Sequence, residues 1–234
     1  MLYNVSSKAS PLLFVVLVSE ENMGLNPEKD AERRARTQKK ILRAAFRVFA
    51  ERTIDAVNLT DVALEAGVAM TTVYRYYSTK EKLVLEVGAW VWKQYTENDY
   101  ARLELPGRTA VEDYEYYLDS FIDLYRNHRD ILRFNQFFNI YVQRESIPPE
   151  YMRPYNDVIE AIEHRFHAMY ERAKEDGTLR TDIPEREMFS VTLHLMLAVV
   201  TRYAVGLVYD GGIEPENELL VQRNLLLEAY RTKS

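Results

Sequence analysis

Gly67 restricts this chain more than any other residue. It stands between two short runs of helical character, Asp61 to Ala66 before it and Ala69 to Tyr77 after it, where a turn with positive φ is free of strain only without a β-carbon. Upstream, Asn58 can accept a hydrogen bond from the amide of Asp61, whose carboxylate can reach back, so a capping box starts the first helix. Val62, Ala63 and Ala66 form its apolar face, and Val73 and Tyr77 point back from the second helix. Small Ala63, turning Gly67 and branched Val73 are spaced as two helices crossing steeply over a tight corner require. A larger residue at 63 would push the pair apart.

That pattern, over about residues 58–77, is a helix-turn-helix, whose second helix is the one placed in the major groove of duplex DNA. Its outward residues, Met70, Thr71, Thr72, Tyr74, Arg75 and Tyr76, are rich in hydroxyls with one guanidinium, groups that suit phosphates and base edges. A plain helical hairpin with packing tyrosines is the competing reading. The hydroxyl-rich face and the spacing occur together, which favours DNA. With the helix starts beside them, the candidate contact set is Thr37, Asn58, Thr60, Ala69, Met70, Thr71, Thr72, Tyr74, Arg75, Tyr76 and Lys80.

The sequence resembles the tetracycline-repressor (TetR) family of bacterial transcription regulators at these residues. The resemblance covers Ile41, Ala45, Phe46 and Phe49 of a preceding helix (Thr37 to Arg52), Asp61-Val62-Ala63 through Gly67-Val68, and Val73 to Tyr77 followed by Thr79-Lys80-Glu81-Lys82-Leu83. It departs at Ala69, where the family usually has Ser or Thr, which removes one hydroxyl from the DNA face. The resemblance implies a phosphate contact for Lys80, a homodimer reading a near-palindromic operator, and a second domain that binds a small molecule and then releases DNA. The expected function is therefore a repressor of this kind, with double-stranded DNA, a second copy of the chain and a small effector as partners. A nucleoid-associated or structural DNA-binding protein without ligand control is the alternative.

Charge agrees with that division. The net charge of the 234 residues is −6, yet residues 28–82 carry twelve Lys or Arg against eight Asp or Glu, and residues 83–234 seventeen against twenty-six. A basic head on an acidic body steers the head towards polyphosphate. Glu32-Arg33-Arg34-Ala35-Arg36 reads either as an arm supplying non-specific phosphate contacts or as a solvated tail. With no cysteine, disulfides, thiolate chemistry and zinc fingers are excluded, which suits a cytoplasmic protein. No phosphate-loop glycine pattern or nucleophile elbow is present, so neither an enzyme nor a cofactor is expected. Residues 1–27 fit the rest badly. They read as an upstream extension with the functional start at Met23, or as an extra strand or helix on the body; Pro11 to Val18 is too short to span a bilayer.

Sparse Gly and Pro, eight of each, give an all-α expectation: a three-helix head over residues 28–83, a long helix leaving it, and a larger helical ligand-binding and dimerisation domain over 84–234. Thr79 caps the long helix. It runs to about Leu103, roughly 35 Å at the α-helical rise, ends at Leu105-Pro106-Gly107, and is the natural lever between the two domains.

In the body, aromatic residues at helical spacing read as a pocket for an apolar or aromatic, even cationic, ligand: Tyr114, Tyr117, Phe121, Tyr125, Phe134, Phe137, Phe138, Tyr141, Phe166 and Tyr170. Met188 to Val208 is apolar almost all round. Arg202, His194 and Glu187 in or beside it argue for a helix buried on two sides over a membrane span. With the last helix it supplies the expected dimer surface, Leu195, Val199, Arg202, Tyr203, Leu219, Leu220, Leu226, Leu227 and Tyr230. His164 and His167 share a helix face with no third metal ligand evident, so no metal site is expected.

Overall fold

The computed structural model describes residues 27–100, 107–209 and 211–233, with residues 98–100 described through their backbone alone. The expectations for the N-terminal extension, Met23 included, and for the stop at Leu105-Pro106 lie outside the described residues. Among these, the chain forms nine α-helices: α1 (Pro27–Arg52), α2 (Leu59–Ala66), α3 (Met70–Tyr76), α4 (Lys80–Gln94), α5 (Ala110–Asn127), α6 (Arg129–Arg144), α7 (Arg153–Asp176), α8 (Glu185–Ala204) and α9 (Pro215–Tyr230). There is no strand among them, only an isolated bridge between Leu179 and Arg231. The all-α expectation from periodicity therefore holds.

The first helix is longer than its apolar stripe. Ile41, Leu42, Ala45, Val48 and Phe49 are buried as the stripe requires, but the polar residues 27–36 continue the same helix instead of forming an arm or tail. Pro27 is preset for a first helical turn, Glu28 and Asp30 complement the helix dipole there, and nothing between them and Thr37 breaks a helix. Arg33, Arg34 and Arg36 therefore stand on a rigid rod.

The lever also differs from expectation. After Gln94 the α-helix gives way to a π-helical turn, Tyr95–Tyr100, which widens the coil and rotates its register. Tyr95 and Thr96 are buried there; the Tyr95 hydroxyl donates to Ser120 O at 3.0 Å and Thr96 Oγ1 to Lys93 O at 3.2 Å.

Helix α5 runs through the middle of the body, packed on α6, α7, α8 and α9. Its amide ends are met twice. Thr109 and Glu112 form a capping box, and Asp176, the last residue of α7, and Thr178 just beyond it accept from Ala110 N (2.7 Å) and Val111 N (3.0 Å). Head and body share one contiguous apolar core from Ile41 to Tyr230. Phe46 of α1 meets Phe134 of α6 edge-on at 5.6 Å. No helix among the described residues is long and apolar enough to cross a membrane.

Candidate nucleic-acid interface and cavity

The head is built around its corner. Asn58 Oδ1 accepts from Asp61 N and Asn58 N donates to Asp61 Oδ2, both at 2.9 Å, so both halves of the capping box form. The Asn58 amide and Arg52 hold the Asp61 carboxyl below its usual range. Helix α2 ends at Gly67 with φ 56° and ψ 46°. There Gly67 N and Val68 N donate to Leu64 O and Ala63 O, each at 3.0 Å. Those bonds satisfy the last carbonyls of α2 and turn the chain directly into α3.

Only Val73 of α3 is buried. Ala69, Met70, Thr71, Tyr74 and Arg75 are exposed, and Thr72 and Tyr76 partly so. The face they share carries two committed groups: Tyr76 donates its hydroxyl to Arg34 O at 3.3 Å, and Thr60 Oγ1 lies 3.2 Å from Met70 Sδ. Thr37 donates its hydroxyl back to Arg33 O, leaving only its lone pairs.

Lys80 is half-buried. Its ammonium lies 3.5 Å from Asp55 O and over the Tyr141 ring, and burial pulls its pKa down, offset in part by Asp55. Asp55 is itself ion-paired with Arg144 of α6, a tie from head to body that holds the Asp55 carboxyl low. Lys40 lies off the buried stripe of α1. In the fold its Nζ sits 3.6 Å from where a Gly67 β-carbon would be, which brings an exposed ammonium to the helix-turn-helix corner.

The body holds a cavity of about 370 Å³ between α4, the π turn, α5, α6, α7 and α8. Of the aromatic residues expected at a pocket, Tyr117 and Phe121 line it. Trp92, Tyr95, Thr96, Ser120, Leu124, Asn135, Asn139, Tyr155, Asn156, Ile159, Ile162, Leu193, His194 and Leu197 complete the wall.

The other expected aromatics pack elsewhere. Tyr114 is fully buried and shares a 2.7 Å hydrogen bond with Thr192. Phe166 contacts Tyr114, Tyr117 and Phe189. Phe134 and Phe138 fill the junction with the head, and Phe137 packs partly buried on the core. Tyr125 packs on Tyr203, Tyr141 lies beside Lys80 and Glu81, and Tyr170 donates to Ile183 O at 2.7 Å.

The expected dimer residues divide in the same manner. Tyr203, Leu219, Leu226, Leu227 and Tyr230 belong to the chain's own core. Leu195, Arg202 and Leu220 are exposed and Val199 is half-exposed; Val191, Val221 and Leu225, which the stripe reading passed over, join them as exposed apolar side chains on α8 and α9. A single chain thus covers one apolar face of α8 and leaves the other open.

His167 joins Glu171 and Glu185 with ligand atoms within 4.8 Å of one another; His164 stands outside the group. Here His167 Nδ1 is already 3.0 Å from a Glu185 oxygen, and Glu171 is paired with Lys174 at 2.5 Å.

With this geometry in view, residues 41–87 match the family model described as bacterial regulatory proteins, tetR family. The HTH-type transcriptional regulator YvdT of Bacillus subtilis is 30% identical over 97 residues, 40% of this chain and 47% of that protein. The HTH-type transcriptional regulator CymR of Pseudomonas putida is 36% identical over 73 residues, 31% of this chain and 36% of that one. The matched stretches therefore span about half of these relatives or less. Among solved structures, a regulator of Saccharomonospora viridis in complex with choline superposes with a TM-score of 0.69 at 19% identity, covering 85% of this chain and all of its own. At that identity the likeness is one of fold. The relatives are named as transcriptional regulators, not as enzymes.

Proposed function

The chain belongs to the tetR family of bacterial regulatory proteins through its helix-turn-helix head, and from that premise we propose that it is a cytoplasmic transcriptional repressor, dimeric on a near-palindromic operator and released from it by a small molecule. The observation that carries this reading is the double engagement of α4. At its start, Thr79 accepts from Lys82 N directly after the recognition helix; at its end, Trp92 with Tyr95 and Thr96 forms one wall of the cavity. An occupant pressing on that wall acts on the element that sets the spacing of two recognition helices. The cavity supports ligand control over a purely structural role on DNA, and the choline held by the Saccharomonospora viridis protein is a precedent in the same fold. On α3, Thr71, Tyr74 and Arg75 are assigned to DNA, with Lys40 and Lys80 on phosphates.

Selection of bound duplexes from a random pool, followed by competition at moderate salt, tests the reading. A recovered inverted repeat supports it. Binding no better than to a scrambled competitor removes it.

A further inference from the structure

Several polar side chains line the cavity: Asn139, Asn156 and His194 are exposed at its rim, and the buried ones are largely bonded within the chain. Tyr95 donates to Ser120 O, Ser120 Oγ to Tyr117 O at 2.6 Å, and Thr96 to Lys93 O. Asn135 differs from these bonded, buried groups in keeping its donor pair. It is 3% exposed and sits on the otherwise apolar stripe of α6. Its Oδ1 accepts from Trp92 Nε1 at 3.2 Å and from the Tyr155 hydroxyl at 3.4 Å.

An indole N–H can only donate, so the side-chain oxygen must face Trp92 and the amide orientation is fixed. Burial pushes the Tyr155 hydroxyl up to about 12, so it remains a neutral donor to that oxygen. Both lone pairs of Oδ1 are used. The NH2 of Asn135 meets no protein acceptor among the described residues, and Asn135 lines both this cavity and the adjoining groove beside Gln136, Ala198 and Arg202.

Fixed charge is missing from that wall: among the described residues no Asp, Glu, Lys or Arg lines it, its one imidazole, His194, is exposed beside Ser190 Oγ at 3.3 Å, and Arg202 stands in the adjoining groove. A carboxylate entering would shed water without a counter-charge, and a quaternary ammonium would have only ring faces to offset the same loss. A volume of about 370 Å³ holds a ligand of roughly a dozen non-hydrogen atoms at interior packing density.

We propose that the cavity takes an uncharged, mostly apolar molecule carrying one carbonyl or hydroxyl oxygen, and that Asn135 reads that oxygen through its NH2. The proposal rests on reading the cavity as the effector site and adds the class of molecule it selects.

Four naphthalenes of matched bulk test it by calorimetry and Trp fluorescence on the full chain: 2-acetylnaphthalene, 2-ethylnaphthalene, 2-naphthoate and trimethyl(2-naphthylmethyl)ammonium. The acetyl compound is expected to bind about tenfold more tightly than the ethyl one, the difference made by one hydrogen bond to a neutral donor, and both charged compounds more weakly still. Asn135→Leu is expected to erase the acetyl preference. Because that variant also strips Trp92 of its acceptor and can misfold, Ile159→Trp serves as a second: it fills the cavity from α7 with Asn135 intact, and should abolish binding of all four.

Equal binding of acetyl and ethyl compounds, tighter binding of either charged one, binding that survives Ile159→Trp, or no binding by any probe would each overturn the proposal. DNA affinity is measured on the same samples. Selective acetyl binding with no change in DNA affinity would uphold the ligand class and refute the effector role, so the two failures are distinguishable.

Discussion

Gly88 of α4 and Phe138 of α6 fix how closely the lever lies on the body: a β-carbon on Gly88 would stand 2.7 Å from Phe138 Cε2 and 2.9 Å from Cζ. The ring has nowhere to retreat, since Phe138 is fully buried between Phe134 and Tyr155 at centroid distances of 5.7 and 4.9 Å. Gly88→Ala would gain about 1 kcal/mol of helix propensity and lose about 1–3 kcal/mol to overpacking. The expected net is a destabilisation of up to about 2 kcal/mol in urea melts. A stabilised variant would show that α4 can move off α6 at no cost.

The corner at Gly67 yields a second prediction. Its φ of 56° is left-handed, whereas the space beside it is ordinary, the first contact being Lys40 Nζ at 3.6 Å. The penalty for Gly67→Ala is therefore conformational, about 1–2 kcal/mol. Asn tolerates the left-handed region better than other side chains, so Gly67→Asn should retain more stability than Gly67→Ala, read by thermal melts. The reverse order would mean that sterics at Lys40 govern the site.

On the exposed face of α3 the roles divide by chemistry. Tyr74→Phe removes one hydroxyl assigned to phosphate and should weaken every duplex alike, while Thr71→Ala should change preference at particular bases, by about 1–3 kcal/mol at the affected pair. Lys40→Ala should lower the slope of log affinity against log salt by about 1. Binding titrations on an operator and its single-base variants, at several salt concentrations, separate these outcomes. Uniform losses from both α3 variants would undo the assignment.

How far each part could be read from sequence follows from the range of the forces that make it. The Asn58 cap, the Gly67 corner and the Thr79 cap are each closed within a few residues, so local pattern suffices. The cavity is long-range. Tyr114, Phe134 and Phe138 carry the same periodicity as Tyr117 and Phe121, and only the packing of α6 and α8 decides which rings fill core and which face open space. Asn135 did leave a trace, as a polar residue on an apolar stripe. The π turn after Gln94 left none, because Tyr95 and Thr96 would suit an α-helix equally well, and their bonds to Ser120 O and Lys93 O appear only in the fold.

A pH-dependent tie joins α7 to α8. The hydrogen bond and charge of Glu185 raise the His167 pKa above its ordinary 6.5. A folded value above the unfolded one means that the stabilisation is complete below pH 6.5 and is lost as pH rises through the folded value. NMR titration should therefore place His167 above 6.5 in the native chain and near it in Glu185→Gln. The stability gap between the two proteins should be wider at pH 6 than at pH 8.5. A gap that widens with pH would contradict the pairing.

The last prediction concerns the open face of α8 and α9. Leu195 and Leu225 are 51% and 65% exposed in a single chain, with Val191, Leu220 and Val221 also outward. A patch of this kind on two adjacent helices is more than scattered surface apolarity, and a second copy of the chain covers it in the dimer proposed above. Because neither leucine is in the core, Leu195→Glu combined with Leu225→Glu should leave the melting of the folded chain nearly unchanged. The same pair places like charges across a two-fold interface and should give a monomer in sedimentation at micromolar concentration. A monomer holds a single recognition helix, so operator affinity should fall roughly a hundredfold with the loss of the second half-site. If the doubly substituted chain still sediments as a dimer, or if the native chain is already a monomer, α8 and α9 do not form the interface. The chain would then have to space its recognition helices by some other surface.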